Sequence, residues 1–189
     1  MVDPRTEIDF PFYQNQVLDM FGNPRDPGFE KSYLRVIDLS EFAESLAHVL
    51  DYEGNPWRHR IYGNDALRDP VKRAVGLIVS RGLSGELKTF DGCFNIRPMK
   101  SGRQTSMHAW GLAVDFNQAT NPFINSEAIA RGATLITDFS SEFIACFLES
   151  GFEWGGLWKS CKDAMHFQLP WTGDWTQSQA PLKPVPWVA

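Results

Sequence analysis

The chain has 189 residues, enough for one domain with a full core and too few for a second large one. Apolar residues make up 43% and charged residues 22%, an ordinary soluble composition, and the net charge of −5 argues against a general nucleic-acid or anionic-membrane binder. No run approaches the ~20 apolar residues of a membrane span. Residues 1–30 mix aromatics with turn formers such as Gly22-Asn23-Pro24 and Asp26-Pro27-Gly28. They read as an irregular arm with a helical turn or two over 14–20, packed down by Phe10, Phe12 and Phe21. The polar first residues lack the apolar core of a signal peptide, so synthesis in the cytoplasm is expected. Cys93, Cys146 and Cys161 have no CxxC spacing and leave one unpaired in any disulfide scheme, which suits a reducing compartment.

Residues 33–37 read as extended. Ser40 reads as the N-cap of a helix to about residue 50, with Phe42, Leu46, Val49 and Leu50 in one stripe. Residues 51–69 are polar and turn-rich. Asp69 as N-cap and Pro70 at the first helical position open a second helix, whose stripe is Val71, Ala74, Val75, Ile78 and Val79 and whose stop is Gly82. Residues 87–97 are strand material with a turn at Asp91-Gly92. Residues 112–116 alternate, with Leu112, Val114 and Phe116 facing one way and Ala113 and Asp115 the other. A third helix runs over 140–150 to Gly151, and 167–169 form a last strand. The sum is an α+β fold: a small antiparallel sheet with helices packed on one side. Trp171, Trp175 and Trp187 make the tail, 171–189, a strap packed on the body, since tryptophans are costly to leave in water; a wall- or sugar-binding tail is the rival. The whole chain, 1–189, is expected to be one domain and a monomer.

Two motifs carry the chemistry. The first is Ser106-x-His108-x-x-Gly111-x-Ala113-x-Asp115 and the second Asp163-x-x-His166. They offer two imidazoles and two carboxylates, enough for three ligands to a zinc ion and one spare carboxylate. Three N/O ligands with an open fourth position mark a catalytic zinc, whereas structural sites close with four, mostly thiolates. The spare carboxylate is what a hydrolase needs to take a proton from the attacking water. For Asp115 alone, on an otherwise apolar strand, a salt bridge explains the residue equally well. His108 lies an odd offset from Asp115, so an unbroken strand would put it on the opposite face, and Gly111 is where the chain can turn it back. Ser106 either orients a ligand, binds substrate or is a plain turn hydroxyl. His48 and His59 lack such company and read as structural, and Cys161 as a bystander. Arg97, Lys100 and Arg103 bunch just ahead of His108, where anionic substrate recognition outweighs a solvated loop.

These motifs, with Gly151-Phe152-Glu153-Trp154-Gly155-Gly156 and more loosely Asp91-Gly92-Cys93-Phe94-Asn95-Ile96-Arg97, resemble the M15 zinc peptidases, the D-alanyl-D-alanine carboxypeptidase and phage endolysin group that cuts peptidoglycan stem peptides. The resembling core covers roughly 86–170, and Phe21-Gly22-Asn23-Pro24 looks like the openings of some phage lysins. The resemblance implies the hedgehog/DD-peptidase-like fold. It also implies one Zn2+ per chain held by His108, Asp115 and His166, with Asp163 as base where many members have Glu, as in the endolysin-type branch. Arg97, or Arg103, is implied as the arginine that binds the transition state or a substrate carboxylate, and Trp154 and Trp158 as cleft walls. The function expected is a phage-type endolysin cutting between L-Ala and D-Glu of stem peptides and reaching the wall after release. The alternatives are a D-Ala-D-Ala carboxypeptidase or dipeptidase and a zinc-stabilised binding module without catalysis. Neither nucleic acid nor membrane insertion is expected.

Overall fold

The computed structural model describes residues 14–97 and 105–170. Phe10 and Phe12, the basic residues Lys100 and Arg103, and the tryptophan-rich tail lie outside them. In chain order the helices are α1 (Gln14–Phe21), α2 (Phe29–Tyr33), α3 (Arg68–Ser80), α4 (Ser126–Ala130) and α5 (Ser141–Glu149). The strands are β1 (Leu34–Asp38), β2 (Leu50–Asp51), β3 (Arg60–Asn64), β4 (Thr89–Gly92), β5 (Ala113–Phe116), β6 (Phe123–Ile124), β7 (Glu153–Trp154), β8 (Lys162–Asp163) and β9 (His166–Gln168). The fold is α+β, as expected from the order of elements. Its main sheet has five strands in the order β2-β4-β5-β9-β7, and two-stranded ribbons β1-β3 and β6-β8 flank it.

The sheet is not purely antiparallel: β2 joins β4 in parallel. A parallel neighbour needs a long crossover, and α3 lies in that connection. The helix expected over 40–50 is also absent. A 3₁₀ turn at Ser40–Phe42 gives way to turns, and Leu50 enters the sheet edge by donating its N–H to Lys88 O. Leu46 and Val49 are buried, as a helix would have had them, while Leu50 is 38% exposed. The apolar spacing was real; the sheet edge claimed the backbone.

α3 carries the predicted stripe, with Val71, Ala74, Val75 and Ile78 fully buried. Its start differs. Asn64, not Asp69, supplies the cap, accepting from Ala66 N at the mouth of a 3₁₀ turn that runs into the helix. Pro70 therefore falls in the first helical turn, where its missing N–H costs nothing. α5 begins as expected, Ser140 Oγ accepting from Phe143 N. Residues 91–92 form no turn; they lie inside β4, at a register shift between Phe90 and Gly92.

Cross-strand pairs share a face. Val114 pairs with Phe167, and Trp154 with Phe167, on the face covered by α5. There Phe147 stacks on Phe167 at 4.0 Å and meets Phe116 at 5.7 Å. The opposite face pairs Asp115 with His166, Ala113 with Gln168 and Gln168 with Glu153. One apolar cluster spans Val17 to Leu169.

Candidate metal centre

His108 comes from a 3₁₀ turn, Met107–Trp110, and Asp115 from β5, which the turn feeds. Gly111 joins them with φ 67°, and a Cβ there would lie 2.7 Å from Asn64 N. Only glycine fits both the left-handed backbone and that approach. This is the reversal expected between His108 and Asp115. Asp115 sits opposite His166 in the β5–β9 ladder, so the last ligand candidate arrives by register. Ser106 is 5% exposed and its Oγ accepts from His108 N, capping the turn. The hydroxyl thus orients the His108 backbone.

The three donors converge. His108 Nε2 lies 3.1 Å from Asp115 Oδ1 and 3.1 Å from His166 Nδ1, and His166 Nδ1 lies 3.0 Å from Asp115 Oδ1. The outer nitrogens decide the protonation pattern. His108 Nδ1 lies 2.5 Å from the Cys93 carbonyl oxygen, and His166 Nε2 lies 2.9 Å from Gln168 Oε1. Both oxygens only accept, so these nitrogens carry the ring protons. In neutral imidazoles the inner nitrogens then present lone pairs to each other and to the carboxylate. Three acceptors at such separations call for a cation among them. Donors about 2.0–2.2 Å from a tetrahedral zinc would be about 3.3–3.6 Å apart, so this triangle fits the ion with a small outward adjustment.

Electrostatics agree. Burial pulls the Asp115 carboxyl upward, but His108 and His166 outweigh it and hold the group far below the usual carboxylate range. Burial disfavours the charged form of His166, yet Asp115 and then Asp163 push its pKa up. Thiolates do not compete: burial, then Asp115, keeps the Cys93 thiol protonated, and burial, then Asp163, raises Cys161 to about 11. All three cysteines are free and buried. His48 and His59 make bonds to backbone carbonyls away from this group.

Asp163 lies in β8, whose pairing with β6 sets it opposite Phe123. The loop approaches so closely that a Cβ at Gly155 would sit 2.5 Å from Asp163 O. Its charge adds, after that of Asp115, to the upward push on the His166 imidazole. Arg97 is half-buried, and its carbonyl accepts from Ser106 N, which ties it two residues from His108. Arg103 lies outside the described residues. Trp154 is corrected: it is 1% exposed, donates Nε1–H to Ala164 O and stacks toward Phe167, on the α5 side of the sheet. It is core, not a cleft wall. Trp158, 5.4 Å from the His166 ring, does flank the site. Glu153 and Gln168, behind His166, were missed. The period-two spacing of His166 and Gln168 on one face was the available signal.

His108, Asp115 and His166 thus form a three-donor N/O group on one face of an α+β sheet, a set that could hold a metal ion. Residues 99–169, less than half of the chain, match the family described as D-alanyl-D-alanine carboxypeptidase, so this stretch is similar to M15 peptidases. Both motifs fall within it. No curated protein and no solved structure matches the chain.

Proposed function

We propose that the chain is a zinc-dependent peptidoglycan peptidase that cleaves stem-peptide amide bonds, of the endolysin type acting between L-Ala and D-Glu. The observation that carries the zinc reading is the meeting of two imidazole lone pairs and a carboxylate oxygen, with both outer imidazole nitrogens bonded to carbonyl oxygens. His108 Nε2, His166 Nδ1 and Asp115 Oδ1 would hold the ion. When bound, zinc acidifies a water from about 15.7 toward about 7 and polarises a carbonyl.

The remaining work falls to the chain. Asp163 takes the proton of the attacking water and returns it to the leaving amine. Arg97 supplies a positive donor for the developing oxyanion, an interaction worth about 3–4 kcal/mol when such a donor is removed. Trp158 excludes water from one side of the His166 ring. Free carboxylates of stem peptides give the basic stretch ahead of His108 its purpose. Asp at position 163, where many family members have Glu, supports the endolysin branch.

The D-alanyl-D-alanine carboxypeptidase reading has its own support in the description of the matched family. Mass spectrometry of products from purified peptidoglycan, with and without chelator, separates the two. Chelator-sensitive new L-Ala and D-Glu ends are expected. Free D-alanine would sink the endopeptidase assignment, and no cleavage by folded, zinc-loaded protein would favour a binding module.

A further inference from the structure

Two buried polar side chains behind His166 have no part in the hydrolytic steps. Glu153 is 8% and Gln168 1% exposed, and they are cross-strand partners in β7 and β9, on the face that bears Asp115 and His166. For packing alone, leucine or methionine would fill such positions without a desolvation penalty. The bonds suggest another task. Gln168 Oε1 faces His166 Nε2 at 2.9 Å, and Gln168 Nε2 donates to Glu153 Oε2 at 3.3 Å.

A glutamine amide can present either end to a neighbour. Flipped, Gln168 would offer N–H to His166 Nε2, which would then have to accept, leaving the ring proton on Nδ1. That nitrogen is the one facing Asp115 and His108, so the flipped state blocks the inner lone pair. In its carboxylate form Glu153 selects against it, because its oxygen accepts from the amide nitrogen and repels the amide oxygen.

We infer that Glu153 and Gln168 form a positioning relay that fixes His166 as the Nε2–H tautomer and keeps Nδ1 open to the metal. The relay acts through His166 and touches neither metal nor substrate. It rests on the metal reading of this centre. Outer-shell partners of this kind are worth about 10–100-fold in metal affinity.

The test is zinc affinity of the full chain, measured by competition with a chromophoric chelator. Gln168→Leu and Glu153→Leu are expected to weaken binding about 10–100-fold. Glu153→Gln, whose amide can accept from or donate to either end of Gln168, should lose the selection and weaken binding, though less than Glu153→Leu. A packing role would not separate Leu from Gln at position 153. Because buried substitutions risk misfolding, the unaltered chain supplies a second readout. Long-range ¹H–¹⁵N NMR of the zinc-loaded protein should show His166 protonated at Nε2, with that proton protected from exchange. Unchanged affinity in a folded Gln168→Leu variant, or a freely exchanging Nε2 proton, overturns the relay. If Gln168→Leu keeps full affinity while His108→Ala loses zinc, the relay falls and the metal centre stands. If the unaltered chain binds no zinc, both fall together.

Discussion

Two carboxylates act on the His166 imidazole from different surroundings. Asp163 in β8 adds to the push toward the charged form of the ring, while Glu153 is buried behind Gln168. Asp163→Asn keeps the shape and removes the proposed base, so turnover should fall about 10²–10⁴-fold with zinc content unchanged. A variant that cleaves at near-normal rate would displace Asp163 from that role. For Glu153, burial raises the carboxyl to about 7 from an ordinary 4.5, against the opposing pull of Gln168 and His166. Below the lower value both folded and unfolded chains are protonated and nothing is lost. As pH rises between the two values, only the unfolded chain releases its proton, so stability falls, by about 3 kcal/mol at most. The metal-free protein should therefore lose Tm from about pH 5 to pH 7 relative to Glu153→Gln. Parallel Tm profiles would contradict the buried carboxylate.

At the scale of elements, the turn between His108 and β5 is constrained twice over. Gly111→Ala combines a left-handed backbone with a Cβ 2.7 Å from Asn64 N, and a backbone neighbour has little room to yield. We expect a loss above about 2 kcal/mol in chemical denaturation, together with weaker zinc binding. A loss below about 0.5 kcal/mol would show that the turn is not under this constraint. Gly111 was legible because an odd offset between two candidate ligands demands a reversal. α3 and α5 were legible because their stripes have the helical period and their ends carry breakers. The segment 40–50 was not. Its stripe suits a helix, but Leu50 N–H and Val49 O are taken by Lys88 and Trp57, partners distant in sequence. Trp154 failed for a related reason: proximity to the motif in sequence said nothing about which face of β7 it occupies. Gln168 was overlooked because an amide beside a histidine has no chemistry until its second partner, Glu153, is known.

For the whole molecule, the decisive feature is a sheet with two unlike faces. Aromatic packing under α5 fixes β5 and β9 from one side, so that Asp115 and His166 meet in register on the other. Phe147→Ala should thus cost about 3–5 kcal/mol and loosen the ligand triangle without touching it. A Tm near that of the unaltered chain would contradict this support. The same design makes metal binding and folding interdependent, since the donors converge only in the folded chain. Zinc at about 100 times its Kd should add about 2.7 kcal/mol of stability, removable by chelator. The most direct test of the centre is therefore zinc stoichiometry and Tm of the purified chain beside His108→Ala. The account predicts one zinc per chain, a chelator-sensitive rise in Tm, and loss of both in His108→Ala. Stoichiometric zinc retained by that variant, or a folded unaltered chain that takes up none, would contradict it.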